Sequence, residues 1–577
     1  MNAAINIENV VYKYPKSQAP VLKGVSFSIE PGTFSVILGP TGAGKTTLAM
    51  CLNGLIPQLL EGSLSGSVNV KNANVAKVRV QRMSEILGLV LQDPETQIFG
   101  RTVEEDTAFG LRNFLVPKEE IDERIDAALK SVGLADFRLR ETSQMSGGEK
   151  QRLAVAGVLA MQPEILVLDE PTSELDPLGR EQIYSTIENL RRTQALTILA
   201  IEHSSEEIAC RADEILIVHE GKLVWQGAPR TLFSNSPLVE QYGIKPLQVA
   251  SIGWKLQQLG LLTAEQIPLT VTEAKEQIEK ILPVSPKNTQ TKPVVKEQAA
   301  HKSAPPVVSI QNLSHTYPNK NTALRGLSLD IYAGEFVAII GQNGAGKTTL
   351  AKHLNGLLQP TQGRVLLGGN EVSSLNSNQI AQEIGYVFQN PDHQIFSATV
   401  EQEIAYGLNM AKLPAATISE RIDKVLEITN LTKQRAAHPF SLGRGERQMV
   451  AVASILALEP KLLVVDEPTT GQDWRGINRI MELITSLQQQ GTTILMITHD
   501  MDLVARYAQR VLVMKEGELL LDDTPQYVFA QHEILAQTYI QPPQVTRLGQ
   551  LLGFAETMLT EEQFIDEICT RTGVKLQ

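Results

Sequence analysis

Two octapeptides, "GPTGAGKT" at residues 39–46 and "GQNGAGKT" at residues 341–348, share the spacing G-x-x-x-x-G-K-T. In such a loop the glycines let backbone N–H groups converge on one point; they are Gly39, Gly42 and Gly44 in the first copy and Gly341, Gly344 and Gly346 in the second. Lys45 or Lys347 brings an ammonium to that point, and Thr46 or Thr348 offers a hydroxyl to Mg²⁺. Such a set suits the phosphates of a nucleotide. Downstream, "LVLDEPT" and "LVVDEPT" each end an apolar run in an acidic pair, Asp169–Glu170 and Asp466–Glu467. An aspartate there can hold Mg²⁺ through its water shell, because that ion prefers hard oxygen ligands. The neighbouring glutamate can orient a water and accept its proton, which is the positioning task of phosphoryl transfer.

Both sets recur because the chain repeats itself. "LQDPETQIFGRTVEEDTAFGL" from Leu91 returns as "FQNPDHQIFSATVEQEIAYGL" from Phe388, and "KPLQVASIG" from Lys245 as "QPPQVTRLG" from Gln541. The duplicated unit therefore carries a carboxy-terminal extension as well as the phosphate-binding part. We expect cassette-like domains over 1–235 and 307–532, extensions over 236–285 and 533–577, and a polar, proline-bearing linker over 286–306. About 20 residues of linker reach roughly 70 Å when extended, enough for the halves to face each other. One repeated stretch departs from its copy. "SQMSGGEKQR" at 143–152 becomes "PFSLGRGERQ" at 439–448, with Ser146, Gly147 and Gly148 opposite Gly443, Arg444 and Gly445.

The elements that must position these residues can be read from pattern. "FSVILG" and "FVAIIG" are continuous β-prone runs entering glycine-rich loops, as in buried parallel strands followed by helices. "EILVLDE", "KLLVVDE", "LTILAIEH" and "TTILMITH" predict further buried strands whose polar ends fall where parallel sheets bind ligands. A chain of 577 residues exceeds one core, and no apolar run approaches the roughly 18 residues of a membrane span. The amino terminus has no basic start followed by an apolar stretch, so we expect the chain in the cytoplasm. Cys51, Cys210 and Cys569 form no metal or disulfide spacing and read as buried thiols. A net charge of −12 argues against a broad nucleic-acid surface.

With the duplicated phosphate loops, the "DEPT" runs and "SGGEKQR" in view, the sequence resembles the ATP-binding cassette (ABC) ATPases over nearly all of both halves. The resemblance implies an α/β fold of two P-loop nucleotide-binding domains in tandem, each with a helical signature subdomain. It implies ATP and Mg²⁺ as cofactors, with each ATP between the phosphate loop of one half and the signature of the other. Ser146, Gly147 and Gly148, and in the altered copy Gly443 and Gly445, would then meet the γ-phosphate at a helix start. Gln92 and Gln389 resemble the glutamines that sense metal and water. His203 and His499 resemble the switch histidines. Tyr14 and Tyr317 resemble the aromatics that stack on adenine, and Thr47 and Thr349 extend the phosphate loops. "SELD" from Ser173 and "TGQD" from Thr470 occupy the loop through which cassettes communicate.

Within that family "QDPETQIF", "QNPDHQIF" and the two extensions resemble the ATPases of energy-coupling factor (ECF) importers, which take up vitamins and metal ions. The implied partners are a transmembrane coupling protein and a substrate-capturing membrane protein, with this chain peripheral at the cytoplasmic membrane face. Asp93, Glu95 and Asp392 are then expected to receive basic side chains from a coupling helix. Two alternatives are the fused ATPase of a sugar importer and a soluble twin-cassette ATPase of translation or repair. The short mixed linker and scattered cysteines disfavour the latter.

Overall fold

The structure is a computed structural model that describes residues 3–15, 17–172, 175–282 and 305–575. The expected linker lies outside the described residues save Pro305 and Pro306, as do Ser173 and Glu174 of the first communicating loop. The chain forms two compact units, Met1–Trp254 and Lys255–Gln577.

In the first unit a six-stranded sheet runs Lys222–Gly227, Glu214–His219, Phe34–Leu38, Thr197–Ile201, Ile165–Asp169, Leu87–Val90. All neighbours are parallel except the antiparallel edge strand Lys222–Gly227. Every residue of Phe34–Leu38, Ile165–Asp169 and Thr197–Ile201 is buried, which is why these strands read as continuous apolar runs and not as alternating ones. A four-stranded antiparallel sheet, Leu22–Ile29, Ile5–Lys13, Ser63–Val70, Ala73–Asn74, packs over the phosphate-loop helix. The second unit repeats the plan with Ile384–Val387, Leu462–Asp466, Thr493–Ile497, Phe336–Ile340, Arg510–Lys515 and Glu518–Asp523.

The functional loops sit at strand ends because local chemistry stops the strands there. Gly39 and Gly341 leave their strands at φ 144° and 154°, and a Cβ on either would meet the carbonyl oxygen of Val218 or Met514 at 2.0 or 2.3 Å. Only glycine fits such a close approach. Left-handed Gly44 and Gly346 then start the helices Lys45–Leu52 and Lys347–Leu354. Downstream, Asp176 and Asp473 cap the helices Pro177–Gln194 and Trp474–Gln489 by accepting hydrogen bonds from Gly179 N and Gly476 N, which ends the communicating loops. Helix Val271–Ile281, from the first extension, packs on helix Gln544–Leu551 of the second, and both belong to the second unit.

Candidate functional site

The phosphate loops hold their lysines in place before anything else is considered. Lys45 Nζ donates to the carbonyls of Gly39 (2.7 Å) and Pro40 (3.0 Å), and Lys347 Nζ to those of Gly341 (2.7 Å) and Gln342 (2.9 Å). Each ammonium is buried and bridges its own loop. Tyr14 and Tyr317 are half-buried, and their hydroxyls hydrogen-bond Thr47 and Thr349 at 3.1 Å. That bond fixes each ring beside the first turn of the phosphate-loop helix, leaving part of it open to a base.

The acidic pairs close the sheet ends opposite. Thr46 and Thr348 hydrogen-bond Asp169 and Asp466 through their side chains. Burial pushes the Asp169 carboxyl up to about 6, against the pull of Thr46 and Lys45, and raises Asp466 likewise. Asp169 Oδ1 is buried with no hydrogen-bond partner among the described residues. A buried carboxylate oxygen beside a threonine hydroxyl is a hard donor set, so these residues fit Mg²⁺. At Asp466 the Tyr386 hydroxyl donates to Oδ2 at 2.8 Å, a partner the first half does not repeat because Leu89 stands there.

Glu170 and Glu467 follow in left-handed conformation, at φ 49° and 47°. For a non-glycine residue this costs about 1 kcal/mol or more, and it turns each carboxylate off the strand end toward its neighbours. His203 Nε2 lies 3.0 Å from Glu170 Oε1, and Gln92 Nε2 donates to Oε2 at 2.6 Å. In the second half His499 Nε2 lies 3.0 Å from Glu467 Oε1, and Gln389 Nε2 donates to Oε2 at 3.0 Å. Glu467 also accepts from Thr470 Oγ1 at 3.3 Å, while Ser173, at the matching place of the first half, lies outside the described residues. Burial opposes ionisation of Glu467, but the hydrogen bond and charge of His499, with Lys347 behind them, hold its carboxyl below the usual range. The structure thus joins glutamine, glutamate and histidine into one chain in each half. Such a glutamate has both oxygens oriented and can align a water.

The signature copies superpose in kind and differ in chemistry. Ser146 caps helix Gly147–Ala160 at φ −67°, ψ 161°, its hydroxyl accepting from Glu149 N while Glu149 accepts from Ser146 N. Gly443 holds the same place at φ −65°, ψ 158° before helix Arg444–Leu456, but only Glu446 accepts from Gly443 N. Half of the capping box is missing with the hydroxyl. Ser441 does not replace it, because its hydroxyl donates to His438 O within the preceding turn.

Two expectations need correction. The acidic residues of the glutamine loops are engaged within their own half. Glu95 pairs with Lys150, Asp392 takes a two-pronged bond from Arg447 (2.6 and 3.2 Å), and Asp93 caps its own turn at Glu95 N. The Glu95 and Asp392 pairs tie the loop to the signature helix, so these two carboxylates already meet cations of their own half. Of the cysteines, Cys51 and Cys569 are buried but Cys210 is exposed, since it falls on the open face of helix Ser205–Arg211.

The sequence reading also passed over Gln97 and Gln394, which shape the glutamine loops. Gln97 accepts from Leu91 N and donates to Leu89 O, and Gln394 accepts from Phe388 N and donates to Ala451 O. Their recurrence in "TQIF" and "HQIF" was the available signal.

The comparisons with known proteins bear on this geometry. The family model described as ABC transporter matches residues 22–173 and 324–470. The chain belongs to the ABC transporter ATP-binding proteins. A relative from Caldanaerobacter subterraneus subsp. tengcongensis that carries that name is 39% identical over 98% of this chain and 99% of its own length. One from Methanosarcina mazei is 40% identical over 95% of this chain and 93% of its own. The solved structure of cbiO1 from Clostridium perfringens, part of the ABC transporter complex cbiONQ, is 37% identical and covers 43% of this chain and 99% of its own, with a TM-score of 0.38. The chain is accordingly a tandem-cassette, ATP-binding ABC ATPase. Proteins of this family generally work with transmembrane partners, and among the described residues no helix is long and apolar enough to cross a membrane.

Proposed function

We propose that this ABC ATPase is the energising subunit of an ECF-type importer for a vitamin or metal ion, bound peripherally at the cytoplasmic membrane face. Closure of the halves head to tail around two ATP would power a transmembrane coupling protein and a substrate-capturing membrane protein. The observation that carries this reading is the glutamine–glutamate–histidine chain, present in both halves, which links a surface turn to the candidate water-orienting glutamate. In this reading Glu170 and Glu467 accept the water's proton, and His203 and His499 hold them and sense the γ-phosphate. Lys45 and Lys347 neutralise the phosphates, and Tyr14 and Tyr317 stack on adenine. Thr46, Asp169 and Gln92, or Thr348, Asp466 and Gln389, hold Mg²⁺, which when bound neutralises charge on the phosphate oxygens.

The turn itself favours a partner with an apolar docking element. Just after the glutamine loops, Phe99 and Phe109 stack at 5.5 Å and are 71% and 49% exposed, and Phe396 meets Tyr406 edge-on at 4.7 Å. Exposed aromatic pairs beside a polar rim are a common form of protein interface. Capture of the tagged chain from detergent-solubilised membranes tests the proposal. Integral membrane polypeptides should co-purify, and Phe99→Ser with Phe396→Ser should lose them while keeping ATP binding. Ribosomal or repair proteins in their place would refute it.

A further inference from the structure

The second half departs from the first at two motifs, and the structure presses the two departures together. Besides the altered signature, the communicating loop changes from "SELD" to "TGQD". A Cβ built on Gly471 would lie 2.8 Å from Arg444 Cζ and 2.9 Å from its Nε and Nη1, so the guanidinium rests on the Gly471 backbone. Gly471 is left-handed at φ 69°, a second reason for glycine there. One residue on, Gln472 is buried, and its Oε1 would lie 2.9 Å from a Cβ on Gly445 or on Gly476. In the first half the equivalent packing is apolar, with Leu175 Cδ2 3.1 Å from the Cβ position of Gly148. One residue before Gly471, the Thr470 hydroxyl donates to Glu467. No ion pair involves Arg444 among the described residues, so the loop is its evident contact.

We infer that Arg444 is a positioning residue that couples the altered signature to Glu467. Its guanidinium holds the 470–473 loop against the start of helix Arg444–Leu456, and the loop in turn holds Thr470 on the Glu467 carboxylate. Resting on the head-to-tail reading above, this makes the signature that faces the first phosphate loop a control on hydrolysis at the second. Arg444 acts through Thr470 and Glu467 and does not touch phosphate itself.

A double-mutant cycle on the purified full-length chain tests this, using steady-state ATPase with kcat and KM for ATP separated. Arg444→Gly and Arg444→Met should each lower kcat about fivefold with KM nearly unchanged, and Thr470→Val should do the same. Combining Arg444→Met with Thr470→Val should add little to either loss, because both act along one path. Arg444→Met keeps the aliphatic stem and guards against simple misfolding of the helix start. A raised KM restored by Arg444→Lys would show a phosphate contact and overturn the inference, as would fully multiplicative losses in the double variant. The assay needs only ATP hydrolysis, so failure of the importer assignment would leave its result intact. Equal activity of Glu170→Gln and Glu467→Gln variants would identify failure of the head-to-tail asymmetry instead.

Discussion

Put side by side, the halves keep the same candidate groups around their phosphate loops but reinforce them differently. The first half braces the strand end that leads into His203. Glu202, next to His203, is buried and accepts from Thr172 Oγ1 (2.9 Å) and Tyr184 Oη (3.0 Å). The second has Thr498 and Met481 at the positions of Glu202 and Tyr184, and there the added contact lies on Asp466 through Tyr386. The intact signature belongs to the first half, and the aspartate braced by a tyrosine to the second. In the proposed head-to-tail pairing those two would share one site, leaving the altered signature with Asp169 and Glu170. On the proposed pairing, the two sites would then differ in rate, the one with Glu467 faster than the one with Glu170.

The largest expected effect breaks that comparison directly. Glu467→Gln should cut steady-state ATPase activity by about a hundredfold or more, the scale of a lost general base, whereas Glu170→Gln should leave a measurable remainder. Equal losses would mean that the two sites turn over only together or that "GRGE" serves as a complete signature. A second variant sharpens the point. In a Glu467→Gln background only the slow site reports, and Gly443→Ser returns a hydroxyl to the helix start. One hydrogen bond to a charged group contributes about 1.5–3 kcal/mol, so the residual rate should rise roughly tenfold or more. No rise would show that the missing serine is not what slows this site.

Much of this was legible in the sequence because the chemistry is local. Phosphate loops, strand-end acids and the paired histidines are fixed by a few consecutive residues, and the repeat supplied a check on each. The parallel sheets followed from runs such as "ILVLD", which have no polar face to alternate. What could not be read depends on contacts between segments far apart in the chain. The Asp392 carboxylate looks free in "QNPDHQIF" and finds Arg447 only when the signature helix packs beside the glutamine loop. Arg444 over Gly471 is of the same kind: two odd residues in separate motifs whose relation is purely spatial.

The glutamine-loop ion pairs give a smaller effect, and one that discriminates. Side-chain lengths are exchanged between halves, Glu95 with Lys150 and Asp392 with Arg447, so that the span is bridged in both. Arg447 is largely covered, which makes its bidentate bond stronger than an exposed pair of about 0–1 kcal/mol. Asp392→Lys sets two cations together and should lower ATPase activity of the isolated chain about two- to fivefold, with Asp392→Lys, Arg447→Glu recovering most of it. If the isolated chain were unaffected and only retention of a membrane partner were lost, Asp392 would be a docking point after all.

The smallest effect concerns pH and belongs to the first half alone. Burial pushes the Glu202 carboxyl up to about 8, against its hydrogen bonds from Thr172 and Tyr184, with the charges of Glu170 and Glu207 adding to the rise. In the unfolded chain the same group titrates near the ordinary glutamate value of about 4.3. Between these two values the folded state keeps a proton that the unfolded state has released. Stability from this group is therefore complete below about 4.3, falls as pH rises through the window, and is gone above about 8. Glu202→Gln cannot titrate, so the variant's melting temperature relative to wild type should climb by a few degrees between pH 5 and pH 8.5. Differential scanning calorimetry on the full-length chain at those pH values measures it. Thr498 predicts no matching slope from the second half, so Met481→Tyr with Thr498→Glu should add one. A wild-type and Glu202→Gln difference that stays constant with pH would place Glu202 ionised in the fold, and its tie to Thr172 would then be a charged hydrogen bond of the same kind as that on Glu467.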